Sequence, residues 1–595
     1  MGGGGSWLAR GAGFLVADPG PADEEAVVTP EQARRETQPI AELARDFVQR
    51  EVLAQGSKLL EHDYPTLRAL LARAGDLGLL GVEVEEAYGG SGLGAVFGAA
   101  ITEEIARAGD FAVTFGAHAG IGTLPLVYFG TPDQKARYLP DLVSGRKVAA
   151  YALTEPMAGS DALSVRSVAA EEDGHFRLSG QKQWITNAGL ADLFVVYAKV
   201  GGEKFTAFLV EAALPGLSLG PEEDKLGIRG SSTRAVFLDG VRVPRENVLG
   251  EVGRGHAVAF GVLNIGRFKL AAGSLGSSKA AMAVAVEYAE QRQQFGKAIA
   301  EFGLIQEKLA GMAVRLYALE SMVYRTAGLL ESRKSAEAHP AAALADVPVE
   351  CSANKVFGSE TLSFVVDEAL QIHGGYGFMN DYPVSRMYRD ARINRIFEGT
   401  NEINRLLIPD ALMRRAMRAG LPLLQEMAAA RQAVERGSAG EAAGSAGSGG
   451  GGAWLPGPEW MAAARRATLY AASLLVERHG AALESQQEQV ARLADMVIAF
   501  YAAQSAWIRA RRAAREVAAA AGPGDDQKVH ALLASLVIEE SARSLEQAGR
   551  DILVDAERVQ PLLAALRRPP VPVVELRRLV ARAVRQAGGY PLGPR

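Results

Sequence analysis

The chain has almost none of the residues that build covalently clipped or metal-clipped folds. One cysteine, Cys351, in 595 residues excludes an intrachain disulfide and fits a reducing compartment. Eight histidines are scattered, with no pair at metal-ligand spacing, so no metal centre is expected. Charge of either sign is in small excess, and a net charge of -5 excludes a broad nucleic-acid surface. No uninterrupted apolar run approaches the roughly 18 residues that span a bilayer. The first residues lack the long apolar core of a secretory signal. What remains, 48% hydrophobic and 22% charged, is an ordinary soluble composition with core material for several domains. High Ala, Gly and Arg usage points to a GC-rich bacterial genome, and the expected location is the bacterial cytoplasm.

Periodicity divides the chain. Residues 1–30, opening Met1-Gly-Gly-Gly-Gly-Ser, read as a flexible arm. From 31 to 150 apolar residues recur three and four apart, as in Leu67-Arg-Ala-Leu-Leu-Ala-Arg-Ala, which predicts a helical domain. From 151 to 252 short apolar runs such as Phe194-Val-Val-Tyr-Ala-Lys-Val stand between Gly, Pro and Asp and predict a β domain. Long Ala- and Leu-rich helices return over 253–415. Residues 436–457 hold a Gly/Ser/Ala-rich linker, and 458–595 an appended, Arg-rich helical domain. The order helical, β, helical, helical predicts an α+β fold, mainly α, with segregated layers. The mild basicity of the appended region favours either contact with an anionic membrane surface or an ordinary solvated helical face.

Tyr88-Gly-Gly-Ser-Gly-Leu-Gly94 imitates a dinucleotide loop, but its spacing is not G-x-G-x-x-G and it lies between helical segments rather than in a βαβ unit. A loop joining two helices is the better reading.

Five segments carry chemistry. In Ile396-Phe-Glu-Gly-Thr-Asn-Glu-Ile-Asn-Arg-Leu-Leu407, Glu398 stands between bulky Phe397 and flexible Gly399, a setting in which burial raises a carboxyl toward neutrality and makes a base. The same letters also read as a helix end followed by a Thr N-cap. Tyr151-Ala-Leu-Thr-Glu-Pro-Met-Ala-Gly-Ser-Asp161 gathers hydroxyls at a turn that can face a polar ligand. Gly180-Gln-Lys-Gln-Trp-Ile-Thr-Asn-Ala-Gly189 places Trp184 and Thr186 on one strand face, a wall and a hydroxyl for a planar ring. Glu290-Gln-Arg-Gln-Gln-Phe-Gly-Lys297 offers Arg292 to a diphosphate. Gln371-Ile-His-Gly-Gly-Tyr-Gly-Phe378 lets backbone approach a ligand closely.

In this order the five segments resemble the acyl-CoA dehydrogenase family of flavoproteins, over about 35–415. Thr154-Glu-Pro-Met-Ala-Gly-Ser-Asp161 and Arg389-Asp-Ala-Arg-Ile-Asn-Arg-Ile-Phe-Glu-Gly-Thr400 match its two signature regions. The resemblance implies an N-terminal helical domain, a middle β domain and a C-terminal helical bundle that bind FAD without a Rossmann motif. It implies that Glu398 removes the α proton of an acyl-CoA while the β hydrogen leaves as a hydride to the flavin, giving a trans-2-enoyl-CoA. The thioester is then polarised by the Glu398 backbone N–H and a flavin ribityl hydroxyl, with Gly399 close by. Leu153, Thr154, Ser160, Trp184 and Thr186 resemble near-side flavin contacts, and Thr400 and Glu402 further ones. Arg292, Gln294 and Phe295, with Gln371 and Gly375, resemble residues that reach the FAD of a neighbouring subunit, so a homodimer is implied. Ser160, Asn264, Arg267 and Gly399 resemble substrate-side groups. Some members carry the base on an earlier helix, where this chain has Gly266.

Asn264-Ile-Gly-Arg-Phe268, Phe302-Gly-Leu-Ile-Gln-Glu-Lys-Leu-Ala310 and the appended region resemble the very-long-chain branch, whose members are dimeric and peripherally membrane-associated. Gly120 and Gly122 then favour a deep acyl cavity, although Pro125 departs from that branch. The implied partners are long-chain acyl-CoA and an electron-transferring flavoprotein, in fatty acid β-oxidation. Two other readings fit the same residues: an acyl-CoA oxidase that returns electrons to O2, and an assembly or scaffold protein that retains the fold.

Overall fold

Apolar residues three and four apart wind the first part of the chain into helices. Pro30–Phe47 buries Ala33, Thr37, Ala44 and Phe47, and Tyr64–Asp76 buries Leu67, Leu70, Leu71 and Ala74. The first begins where local chemistry permits it: Thr29 Oγ1 accepts from the Gln32 N–H at 3.3 Å, and Pro30 occupies a first-turn position whose N–H has no helical partner. The structure, a computed structural model, describes residues 11–593 apart from 338–339, 419–420, 437–453, 520–524 and 554. Most of the expected linker therefore lies outside the described residues.

The period drops to two between Ala149 and Leu249. The strands are β1 (Ala149–Ala152), β2 (Val168–Glu172), β3 (His175–Thr186), β4 (Leu193–Val200), β5 (Lys204–Glu211), β6 (Leu217–Glu222), β7 (Thr233–Pro244) and β8 (Val248–Leu249). They form one sheet in the order β6-β7-β3-β2-β4-β5-β8, with β1 parallel to β4. Central β4 is apolar throughout because both of its faces are covered. Phe194, Val196 and Ala198 join Phe176 and Phe208 in the sheet's own core, while Val195 and Tyr197 face the core shared with the helices.

Helices Gly255–Gln291, Gly303–Ala336, Pro348–His373 and Asn401–Met417 make the bundle. The first and third pass so closely that a Cβ on Gly358 would meet Ala271 Cα at 3.1 Å. Five appended helices follow: Pro458–His479, Gln487–Ala519, Asp525–Ile552, Ala556–Ala565 and Val573–Ala587. They are not a separate body, since one apolar cluster runs from Tyr317 and Val323 of the bundle to Phe500, Trp507 and Leu545.

Two sequence expectations need correction. Residues 1–10 of the expected arm lie outside the described residues, but from Gly11 the arm is packed, not flexible. Phe14 is 2% exposed and its ring lies 4.7 Å from that of Tyr501, and Arg465 binds the Asp18 carboxylate at 2.8 Å. The Ala12 N–H donates to buried Glu350. Burial explains the difference: this glycine-rich stretch carries its own apolar triplet, Phe14-Leu15-Val16, which fills a seam between bundle and appended helices. Second, Asp110–Phe129 is a stretch of 20 residues long and apolar enough to cross a membrane, but 67% of its most apolar window is packed inside the protein. The glycine-rich loop 89–94, by contrast, does join helices. It opens Ala95–Ile105, whose N-terminus already holds the Glu331 carboxylate, accepting from the Val96 N–H at 2.7 Å. A carboxylate in that place makes the loop a helix connection rather than a phosphate cradle.

Candidate active site

A positive φ at two successive residues turns the chain at Glu398 (58°) and Gly399 (80°). For a non-glycine residue this conformation costs roughly 1–3 kcal/mol and persists only where the surroundings hold it. Here three side chains grip the turn by its carbonyls. Arg267 Nε donates to Glu398 O at 3.1 Å, Lys355 Nζ to Gly399 O at 2.6 Å, and Asn404 Nδ2 to Gly399 O at 2.8 Å and Thr400 O at 3.0 Å. Thr400 Oγ1 accepts from the Ile403 N–H at 3.2 Å and caps Asn401–Met417. The N-cap reading of this motif holds, and it is compatible with the base reading: the cap starts the helix and the turn before it aims Glu398 inward.

Glu398 points into a cavity of about 240 Å³ that Gly266, Leu270, Phe115, Gly120, Thr186 and Phe397 also line. Its accessible part faces that cavity, and Oε2 is sealed from solvent without a hydrogen-bond partner. Burial raises its carboxyl from 4.5 to about 7, against the opposing pull of Arg267 and Lys355. Burial likewise lowers the Lys355 ammonium to about 7. Gly266 faces the carboxylate directly: a Cβ there would stand 2.5 Å from Oε2 and 3.0 Å from Oε1. A side chain at 266 would occupy the carboxylate's space. Gly266→Ala is accordingly expected to retain cofactor and lose roughly 10- to 100-fold in turnover, because a shift of about 1 Å in a reacting group has that effect. A steady-state assay on protein of matched flavin content checks this.

The two β-domain motifs are tied together. Lys182 Nζ binds Glu155 Oε1 at 2.6 Å and Tyr197 O at 2.6 Å, and the Gln183 N–H donates to Thr154 O at 2.9 Å. Glu155 also accepts the Ser167 N–H at 3.1 Å. The turn at 154–161 is thus anchored beside the stretch of β3 that carries Trp184. A register shift between Lys182 and Ile185 and a φ of 56° at Trp184 leave its ring 61% exposed. Trp184 and Thr186 flank buried Ile185 on the sheet's other face, and Thr186 reaches the cavity. Leu153 is buried, Thr154 half-buried, and Ser160 exposed on the loop outside the cavity.

Asn264 and Arg267, expected on the substrate side, do not line the cavity. They are 6% and 4% exposed; Arg267 Nη1 donates to Asn264 Oδ1 at 2.8 Å, and Asn264 Nδ2 donates to Leu344 O at 3.0 Å. Three positions apart on a helix, the two side chains meet: Arg267 holds the Glu398 backbone and Asn264 braces its guanidinium. Gly122 does not line the cavity either, since its Cβ would meet Ala149 Cβ at 2.8 Å. Sequence reasoning missed Lys355 and Asn404. A helical Lys and a helical Asn carry no signal that separates them from solvated residues.

Arg292, Gln294, Phe295, Gln371, Gly375 and Glu402 are exposed, Phe295 by 93%. The first five lie together: the Arg292 guanidinium sits 5.6 Å from the Tyr376 ring, and Tyr288 stacks on His373 at 4.1 Å. Along Pro348–His373 this group is about 27 Å from Lys355, so a single chain does not bring it to Glu398. A larger groove of about 1050 Å³ lies between bundle and appended helices. Its Arg405, Arg492 and Arg577 are each paired with carboxylates, so it is charge-compensated, and Glu398 does not line it.

Comparison with known proteins agrees with this geometry. Family models described as the acyl-CoA dehydrogenase N-terminal, middle and C-terminal domains match residues 34–146, 150–241 and 253–413, and a further acyl-CoA dehydrogenase C-terminal domain matches 463–568. The chain is 44% identical to "Probable acyl-CoA dehydrogenase" of Bacillus subtilis (strain 168), over 98% of both. It is 45% identical to the very long-chain specific acyl-CoA dehydrogenase, mitochondrial, of Homo sapiens, over 56% of this chain and 51% of that one. An acyl-CoA dehydrogenase complexed with FAD from Bacillus anthracis superposes with a TM-score of 0.92 at 44% identity, covering 98% of this chain and 99% of that one. The residues present fit FAD. An uncovered indole at Trp184 stands beside an anchored turn of polar groups, and Thr186 on the same strand lines the cavity into which the unpartnered Glu398 carboxyl points.

Proposed function

Because this chain belongs to the acyl-CoA dehydrogenase family and is an FAD-dependent oxidoreductase acting on acyl-CoA, we propose that its substrates are long-chain acyl-CoA thioesters, oxidised to trans-2-enoyl-CoA in fatty acid β-oxidation. The observation that carries the chain length is the run of the cavity along Gly255–Gln291. Gly266, Leu270, Gly273, Ser277 and Ala280 line it at helical spacing. From Gly266 to Ala280 the helix rises about 21 Å, the length of an extended acyl chain of roughly sixteen carbons. Small residues dominate that wall, and Gly120 opens the opposite one.

FAD, when bound, supplies the acceptor for the β hydrogen. Trp184, Thr186, Thr154 and Leu153 would hold its ring system, with Ser160, Thr400 and Glu402 around it. Glu398 takes the α proton, and the apolar surroundings that raise its carboxyl to about 7 match it to that task near neutral pH. The Glu398 backbone N–H polarises the thioester, with Gly399 beside it. The grip of Arg267, Lys355 and Asn404 on the three carbonyls holds base and N–H in one orientation, so proton removal and carbonyl polarisation stay aligned.

The exposed group of Arg292, Gln294, Phe295, Gln371 and Gly375 supports a homodimer in which these residues complete the partner's FAD site. Electron-transferring flavoprotein is the proposed acceptor, the two relatives that match over 98% of this chain being named dehydrogenases. A cytoplasmic location with peripheral contact at the inner membrane is proposed from the basic appended helices.

Anaerobic addition of palmitoyl-CoA to the yellow holoprotein is expected to bleach the flavin spectrum. A flavin that stays oxidised would refute the long-chain reading, and rapid O2 consumption with acyl-CoA alone would favour the oxidase.

A further inference from the structure

The cavity wall contains a buried ion pair for which dehydrogenation has no use. Lys269 follows Gly266 by three residues on Gly255–Gln291, and its stem lines the cavity. Across from it, a Cβ on Gly120 would meet Lys269 Cδ at 3.6 Å, so the glycine leaves that stem facing the open space. The ammonium pairs with Glu83, and the two side chains are 14% and 8% exposed. Glu83 has a fitted seat, since a Cβ on Gly98 would stand 2.7 Å from its carboxylate. Behind the pair lies a second cavity of about 20 Å³, walled by Glu83, Tyr128, Ile265, Phe268, Leu330 and Leu344.

We propose that the Lys269–Glu83 pair is a partition that selects for unbranched acyl chains. The pair stands between the acyl cavity and the small space behind it, whose walls are mostly apolar with Glu331 and Lys334 at one side, and it stands near the reacting end. Three residues of helix place Lys269 about 4.5 Å beyond Gly266, which is opposite roughly the fourth to sixth acyl carbon if Gly266 marks the α carbon. A straight chain passes Lys269 along the groove. A methyl branch at that depth points into the stem of Lys269. The stem cannot swing aside cheaply, because moving it would leave the Glu83 carboxylate buried and uncompensated. The proposal rests on the long-chain reading above.

The test compares kcat/KM for palmitoyl-CoA and 4-methylpalmitoyl-CoA in the full-length holoenzyme. Removing both charges together with Lys269→Ala/Glu83→Ala avoids an unpaired charge and joins the two cavities. One methyl group in an apolar pocket changes kcat/KM by roughly 10- to 200-fold. The wild-type enzyme is therefore expected to favour the straight chain by at least about 10-fold, and the double variant to lose most of that preference. Lys269→Met/Glu83→Gln keeps the volume but removes the charge that holds the stem in place, and is expected to lose part of the preference, less than the Ala/Ala variant. Gly120→Ala, which adds a methyl against the Lys269 stem, is expected to increase it. A wild-type enzyme indifferent to the branch would overturn the proposal. So would an unchanged ratio both in the Ala/Ala variant of normal flavin content and in Gly120→Ala. Failure to turn over palmitoyl-CoA at all would instead remove the long-chain reading, and the partition with it.

Discussion

Glu398→Gln is expected to retain FAD and to lose at least about 10³-fold in turnover, near the upper range for a positioned base. Gln is almost the shape of Glu, and the space it needs is the space that Gly266 leaves open. The turn does not depend on the carboxylate: Arg267, Lys355 and Asn404 hold backbone carbonyls. What is lost is the acceptor for the α proton, so anaerobic acyl-CoA should leave the variant's flavin oxidised. The wild-type pH profile carries the same assignment. A carboxyl raised from 4.5 to about 7 is protonated and inactive below that value. On the acid side kcat/KM should therefore fall tenfold per pH unit and level off above about 7. A base at its ordinary value would instead give a flat profile from about pH 5.5 upward. Lys355→Met removes a cation that favours the carboxylate and is expected to move the inflection upward. Near-normal turnover of Glu398→Gln would end the assignment.

The parts of this protein that are readable in its sequence are those in which one residue type answers to one physical demand. The Phe397-Glu-Gly-Thr400 run marks the proposed base because it sets a carboxylate between a bulky apolar residue and a glycine, with four further motifs standing in order along the chain. The β domain shows itself through apolar runs such as Leu193–Val200, which only a strand covered on both faces requires. Groups that act through the backbone are hidden. Asn264 and Arg267 read as facing substrate, but a polar pair three apart on a helix looks the same whether it faces a thioester or a neighbouring carbonyl. Lys355 has the sequence appearance of a solvated lysine, yet it is fully buried. The first described residues mislead for a different reason. Glycine-rich flanks suggest disorder, while Phe14-Leu15-Val16 needs a partner surface far along the chain, near Tyr501, that no local pattern announces.

The same long-range logic gives the largest expected effect on stability, at Arg509. This residue is 1% exposed, and its Nη2 lies 2.6 Å from both Glu31 Oε1 and Glu320 Oε2. Glu320 also holds Lys279, which in turn holds Glu103, and Arg34 lies 3.4 Å from both Glu31 and Glu320. Three carboxylates and three cations balance, so His530 in their midst need carry no charge; burial lowers it to about 4. Burial alone would raise Glu31, but Arg509 and its neighbours outweigh that and hold it at about 2. A carboxylate held below its unfolded value adds stability above that value and loses it as pH falls toward 2, so the cluster is fully effective at neutral pH. Because Glu31, Glu103, Lys279, Glu320 and Arg509 come from five different helices, the cluster binds the appended region to the rest of the protein. Arg509→Met leaves an excess buried negative charge and is expected to destabilise by about 3–5 kcal/mol. Arg509→Met/Glu31→Gln restores the balance and should recover a good part of the loss, read as the midpoint of thermal unfolding at pH 7. A single variant as stable as the wild type would show that water already reaches these charges. A double variant no better than the single one would show that packing of the guanidinium, which lies 4.2 Å from the Tyr317 ring, matters more than its charge.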